Sequence, residues 1–416
     1  MSASTSRSDA RLAALGVLSL CTLITLVSRG VAETFAMFLL PIGAEFSVDR
    51  AALTGIYSAY MLGLAVVSPL AGTLFDRLGP RLCYGLGLGV FGLAYLGAGS
   101  ATAVWQLYLL VGFGGALGGA TTGMIPASQL ASRWFHARLP TAMGVLSAAL
   151  GIGILIFAPV AQALIGAHGW RDAYRWLGGL QLLALLLVIL LPWGRIASGA
   201  PEVARLRAHA ASGAPVWTLA RALRTRVFWS LFGVMFCTSL STYAINVQLV
   251  ACLVDAGIAP LQAASVYGLV GMLSIAGMIA AGVLSERIGE RRFATISYAS
   301  TIVGIAALAT LGWWPAALPV AAFVLLFGSM QGSRGPLVAV MSARNFPGAR
   351  QGGIYGAVLI GMGLGGAVGS WGSGALFDLT GGYRAGMLLG ATGAVLGLAL
   401  FVRVSAPGPE AQTRRL

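Results

Sequence analysis

Arg29, Glu33 and Arg334 stand deep inside uninterrupted apolar runs, and no other Asp, Glu or Arg does. Charge is expensive there: an ionised side chain at the centre of a bilayer-spanning helix costs about 3 kcal/mol even on insertion scales, so it faces a cavity or a partner. Arg29 and Glu33 are spaced i, i+4, which sets them on one helix face within pairing reach. The pair can be a strut that stiffens its helix. It can equally be a proton switch, because burial favours the protonated acid while the guanidinium favours the carboxylate, so proton uptake turns on whether Arg29 is engaged elsewhere. Arg334 has no acid near it in sequence; its neighbours are Gln331, Gly332, Ser333, Gly335 and Pro336. A planar, permanently charged fork suits a carboxylate. Arg334 therefore reads as the anchor of a carboxylate cargo or as a strut paired with Glu33.

Neutral polar residues in other apolar runs are candidates to line the same cavity: Tyr57 and Tyr60, Thr121, Thr122 and Gln129, and Tyr243, Asn246 and Gln248. Tyr57, Asn246 and Gln248, with Arg29 and Arg334, are assigned to the substrate, and Glu33 to the proton. Each neutral residue alone is more often a hydrogen bond between helices than a ligand. Catalysis finds no footing, since no Ser/His/Asp, Cys/His or paired-carboxylate set shares a depth. The four Cys and three His are scattered at unrelated spacings, which gives no metal site, no disulfide framework and no cofactor.

The elements that must position these residues are membrane helices. Hydrophobic residues make up 58% of the 416 and charged ones 9%, against about 25% charged in a soluble domain. Glycine, at 59 residues, sits inside the apolar runs, as in tightly packed membrane helices. The runs at 112–119 and 361–369 read as close-packing surfaces, because a phosphate cradle needs a solvent-facing helix start. Twelve apolar segments follow: 12–42, 51–75, 82–100, 103–132, 139–166, 172–194, 227–254, 261–285, 293–312, 316–343, 351–377 and 383–404. The first is too long for a signal peptide and has no cleavage site, so it is a retained span. The one long polar stretch divides the chain into bundles at 1–194 and 227–416, joined by a linker at 195–226. The end of that linker, Trp217 to Arg226, is either a basic helix lying on the membrane surface or a solvated tether.

All 26 basic residues are Arg, and net charge is +14. Nucleic acid is not the implied partner, because these arginines fall at segment edges and sort by side: 20 on the side of the termini, four on the other (Arg50, Arg171, Arg175, Arg384). Arg-rich loops stay cytoplasmic, so both termini are expected inside. The halves also repeat. Gly72, Asp76, Arg77, Gly79 and Arg81 recur as Gly282, Glu286, Arg287, Gly289 and Arg291, displaced by 210 residues, as Pro126 recurs at Pro336. Gly169-Trp170-Arg171 matches Gly382-Tyr383-Arg384 at a displacement of 213.

The stretch Gly72-Thr-Leu-Phe-Asp76-Arg77-Leu-Gly79-Pro-Arg81 resembles the G-x3-D-R-x-G-x-R signature of the major facilitator superfamily. Arg138-Leu-Pro140-Thr-Ala142-Met-Gly144 is similar to the R-x-P-x-A-x-G pattern of its monocarboxylate porter group, and Ser333-Arg334-Gly335-Pro336 and Gly353-Ile-Tyr355-Gly356 resemble bacterial members. The resemblance implies twelve helices in two pseudosymmetric six-helix bundles, with Asp76, Arg77 and Arg81 and their copies Glu286, Arg287 and Arg291 re-pairing as a gate. It also implies a bacterial inner-membrane address. Departures are clear: mammalian members resemble one another in a Lys of helix 1 and an Asp/Arg pair of helix 8, whereas here Glu33 stands at the Lys position and 261–284 carries no charge. The drug-exporter pattern of helix 5 is only partly present, as Gly144, Gly153 and Ala158-Pro159. The expected function is secondary active transport of a small organic anion, a monocarboxylate, with a proton by alternating access. An anion exchanger or drug/proton antiporter is the alternative.

Overall fold

The computed structural model describes residues 2–135, 138–199, 217–311, 313, 317–346 and 351–404. In chain order its main helices are α1 (Ser2–Ala32), α2 (Phe35–Phe46), α3 (Arg50–Ala98), α4 (Gly115–Thr122), α5 (Met124–Trp134), α6 (Leu139–Leu190), α7 (Arg226–Asp255), α8 (Pro260–Ile288), α9 (Glu290–Ala309), α10 (Arg334–Asn345), α11 (Gln351–Thr380) and α12 (Arg384–Val404). Among the described residues, nine helical stretches are long and apolar enough to cross a membrane. Two of the nine are pairs of spans joined through a glycine that takes a positive φ, Gly79 (77°) in α3 and Gly169 (82°) in α6. Only glycine adopts that backbone freely. The stretch 317–345 is broken into short helices and supplies the twelfth span.

Three spans that read as continuous in sequence are interrupted. The first breaks at Glu33 and Thr34, between α1 and α2, where the Thr34 hydroxyl bonds the Val31 carbonyl at 2.7 Å and tightens the turn. The fourth breaks at Gly123, whose φ and ψ of −86° and −153° are extended. The tenth breaks at Gly332 and Ser333. Pro126 and Pro336 are each the third residue of the helix that follows, and proline has no N–H to give the carbonyl four residues back. Both spans also carry a π-helical turn upstream, Tyr108–Gly114 and Val324–Gly328. By contrast α7, the repeat partner of the first span, runs unbroken for 30 residues.

The described residues gather into two compact units. One takes the described residues within 2–48, 59–199 and 259–272; the other, those within 49–58, 217–258 and 273–404. Each keeps most of one half of the repeat and takes the first turns of one helix, α3 or α8, from the other half. The first unit is centred on Cys21, Phe75, Tyr84, Leu88, Leu130 and Trp193, and the second on Phe228, Phe293, Tyr298, Leu337, Val358 and Phe401. Glycine sets the closest approaches. In the second unit Gly361, Gly365 and Gly369 of α11 press on the carbonyls of Phe232, Phe236 and Leu240 of α7, one contact per turn. In the first, Gly153 of α6 faces the Leu26 carbonyl and Gly30 of α1. Of the expected linker, 200–216 lies outside the described residues. On the near side the short helix Trp193–Ser198 takes bonds from Trp134 to Ile196 O (2.9 Å) and from Arg133 to Ala197 O (3.2 Å). On the far side the stretch 217–226 holds a single helical turn, Leu219–Ala222, capped by Thr218, with Trp217 packed edge-on against Phe346.

Candidate functional site

Around the break in the first span, Arg29 sits in the last turn of α1 and Glu33 in the turn itself. Arg29 Nη2 pairs with Glu33 Oε1 at 3.1 Å, and Nη1 donates to the Tyr60 hydroxyl at 2.6 Å. The two charged side chains are 15% and 5% exposed, so the pair is sheltered from solvent. Tyr60, buried on α3, is held against α4 by Gly119, where a Cβ would stand 3.0 Å from the hydroxyl. Gly123, at the break of the fourth span, is held to glycine by its own helix, since a Cβ there would stand 2.6 Å from the Gly119 carbonyl; the Arg29 stem lies alongside, 3.8 Å from that position. The site therefore draws on a helix that stops at Ala32, a tyrosine from α3 and the close approach at Gly119 of the fourth span. Thr121 and Thr122 turn back onto their own helix, at Leu117 O and Gly118 O. Gln129 Nε2 lies beside Gly72.

In the second unit, Arg334 begins α10 and is completely buried. Nη2 donates to Ser297 O at 3.0 Å and to the Thr301 hydroxyl, and the guanidinium stacks over the Tyr298 ring at 4.1 Å. All three partners are on α9 and all are neutral. The Tyr298 hydroxyl continues to Thr238 of α7 at 2.6 Å, and Ser333 bonds Ser297 at 2.7 Å. Nε and Nη1 of Arg334 are buried with no hydrogen-bond partner. Asn246 donates to Gln331 at 3.1 Å, next to the break of the tenth span, and Tyr57 packs on Tyr243 with ring centroids 5.5 Å apart. Gln248 is set apart from these. Two residues along a helix means about 200° around it, and Gln248 lines a small cleft with Leu308, Tyr383 and Met387 instead.

The repeated signature forms the same turn in both halves, with Gly79 at φ 77° and Gly289 at 88°. Asp76, Arg77, Glu286, Arg287 and Arg291 are exposed, and among the described residues none of them forms an ion pair. Arg81 reaches the Ile189 carbonyl at 3.4 Å. Tyr60 stood among the cavity candidates, but its bond to Arg29 could not be read from spacing, because 31 positions separate the two.

The sequence profile described as the Major Facilitator Superfamily matches residues 18–356. The bovine protein named monocarboxylate transporter 13 is 29% identical over 397 residues, covering 92% of this chain and 88% of that one. A Bacillus subtilis (strain 168) protein, the uncharacterized MFS-type transporter YcxA, is 24% identical over 365 residues, 84% of this chain and 85% of its own. In three dimensions the chain is similar to a bacterial homologue of the human lysosomal transporter Spinster, with a TM-score of 0.75 at 16% identity, over 95% of this chain and 97% of that one.

Proposed function

Because the chain belongs to the major facilitator superfamily, as a multi-pass membrane transporter related to the monocarboxylate transporters, we propose that it moves a small monocarboxylate together with a proton by alternating access. The observation that carries this reading is the guanidinium of Arg29, shared between the Glu33 carboxylate and the Tyr60 hydroxyl at a helix break. One arginine cannot hold two carboxylates equally. With Glu33 ionised, Arg29 is satisfied internally; with Glu33 protonated, its fork is released to a carboxylate from solution, steered by Tyr60. Proton and cargo then enter the site together, which is symport. Broken helices at membrane depth suit this role, since irregular backbone is tolerated where it lines a cavity or packs against protein.

A second reading has a specific observation behind it. Among the described residues, Nε and Nη1 of Arg334 are buried with no hydrogen-bond partner and its partners on α9 are all neutral, so it can hold the carboxylate of the cargo. Within transport, exchange of one anion for another or drug/proton antiport remain the rivals. We further propose bundles at 1–194 and 227–416 with the linker at 195–226, both termini in the cytoplasm, and a bacterial inner membrane as the location.

Counterflow in proteoliposomes with a panel of short monocarboxylates, dicarboxylates and lipophilic cations tests the cargo. Accumulation of a monocarboxylate driven by an inward proton gradient is the expected result. Exchange that ignores the gradient would make the protein an exchanger, and cation efflux would overturn the carboxylate reading. For orientation, an impermeant thiol reagent should reach single cysteines placed near Asp49 and Asp378 in intact cells, and ones near Asp76 and Arg207 only after lysis.

A further inference from the structure

At the Arg-poor end of each unit, an acid closes a helix and receives a hydrogen bond from the repeated Gly-aromatic-Arg turn. Glu45 and Asp255 are displaced by 210 residues. In the first unit Trp170 Nε1 donates to Glu45 Oε2 at 2.6 Å, and the adjacent Arg171 completes the acid through Nη1 while bonding Ala101 O at 2.7 Å. This turn is self-contained: acid, aromatic and arginine come from one half of the chain.

In the second unit the aromatic repeats but the arginine does not. The Tyr383 hydroxyl bonds Asp255 Oδ2, yet Arg384 turns away and stacks over Trp313 at 4.6 Å. The cation on Asp255 is Arg50, at 3.5 Å, from the first turn of α3. Arg50 is held further by the Tyr383 hydroxyl at 3.4 Å and the Phe377 ring at 4.9 Å. Asp378 of α11 accepts the backbone N–H groups of Arg50 and Ala51 at 2.9 and 2.7 Å. Below this clasp α3 and α11 touch closely. A Cβ on Gly374 would overlap the Thr54 side chain and stand 2.8 Å from Arg50 O, and Ser58 bonds Ser370 at 2.7 Å.

We infer that Asp255 is a two-position receptor for arginine, holding Arg50 when the tip of α3 is docked and taking Arg384 when that tip departs. Arg384 is the repeat counterpart of Arg171 and stands next to the tyrosine that already binds Asp255, as Arg171 stands next to Trp170. The exchange keeps one cation on the acid in both positions, so undocking α3 does not leave Asp255 bare. Asp378 lends its carboxylate only to the docked helix end, where the first N–H groups have no partner of their own. This inference rests on the alternating-access reading and on the orientation proposed above, which puts this end outside.

The test uses the full-length protein without its native cysteines, carrying Thr54→Cys, in intact cells. The readout is the rate of labelling by an impermeant maleimide. Arg50→Gln should raise the rate several-fold, because the docked position loses its cation. Arg384→Gln should lower it, because the undocked position loses its replacement, and Arg384→Lys should restore it. In an Asp255→Asn background the two glutamine variants should label alike. Tyr383→Phe, which leaves both arginines and the acid in place, serves in that role should Asp255→Asn fail to yield monodisperse protein, and it should shrink both effects. An unchanged rate in Arg384→Gln, a shift in the same direction for both variants, or a difference that survives Asp255→Asn would overturn the exchange. Labelling needs no cargo, so a failed carboxylate assay leaves this result readable. Insensitivity to both arginines would count against alternating access itself, whereas insensitivity to Arg384 alone removes only the exchange.

Discussion

Arg29 and Arg334 are the two arginines embedded at depth, and their surroundings differ in kind. Arg29 has a carboxylate at 3.1 Å and a hydroxyl at 2.6 Å. Arg334 is sealed, touches only neutral groups of α9, and keeps two unsatisfied N–H donors. Two arginines set inside apolar runs therefore need not share a role. Removing Arg29 strands an acid; removing Arg334 strands none, and the Ser297 carbonyl and Thr301 hydroxyl that it touches already bond each other at 3.0 Å. The chemistry of a buried charge lies in what its loss would leave behind.

Replacing each arginine by the apolar residue closest to it in length puts this contrast at risk. Arg29→Met should lower the ligand-free melting temperature most, because Glu33 stays buried without its partner, a loss of about 3 to 5 kcal/mol if the acid remains ionised. Transport should fall to background. A second change, Glu33→Gln, should recover most of the stability and none of the gradient-driven accumulation. If Arg29→Met melts like the parent, the pair is not the buried couple described here.

Tyr60→Phe comes next. It removes one hydrogen bond to a charged group, about 1.5 to 3 kcal/mol in a buried setting, and it should weaken cargo affinity in a binding titration while leaving the Glu33-dependent pH response in place. A loss of the pH response with affinity intact would move Tyr60 from cargo to proton.

The smallest effect is expected at Arg334. Arg334→Met should change stability by about 1 kcal/mol or less, or raise it, since no ionised partner is left and an unsatisfied cation is removed. Cargo binding separates its two readings: unchanged affinity in Arg334→Met assigns the site to Arg29, and lost affinity with unchanged melting assigns the carboxylate to Arg334. A large fall in melting temperature rescued by Glu33→Gln would instead reveal the strut between them.

The spans were legible because runs of about 20 apolar residues are what a bilayer demands, and the repeat at 210 residues foretold that both signature turns would share one backbone. Pro126 and Pro336 carried the signal for two of the three breaks. The third was hidden, because Thr34 bonding its own helix is one local option among several for a threonine. In the site, i, i+4 spacing was enough for Arg29 and Glu33. Helix phase already separates Gln248 from Asn246. The direction of Arg334 toward α9, the contribution of Tyr60, and the borrowing of Arg50 by Asp255 all depend on which helices become neighbours, and neighbours of membrane helices are chosen by small-residue packing that no single span records.

The three glycines that seat α11 on the carbonyls of α7 make those helices a toothed pair. Rungs at Gly361, Gly365 and Gly369 advance by four residues on one helix while Phe232, Phe236 and Leu240 advance by four on the other. With no side chain between the backbones, the two rods mesh at every turn and cannot roll against each other without losing all rungs at once; the next register is four residues, about 6 Å, away. A pull on the end of α11, where Asp378 grips its load, is therefore delivered whole to the rod that bears Tyr243 and Asn246. The pair acts as a drive shaft, and stiffness of that sort is what glycine, usually counted as the flexible residue, supplies when it is packed against a carbonyl.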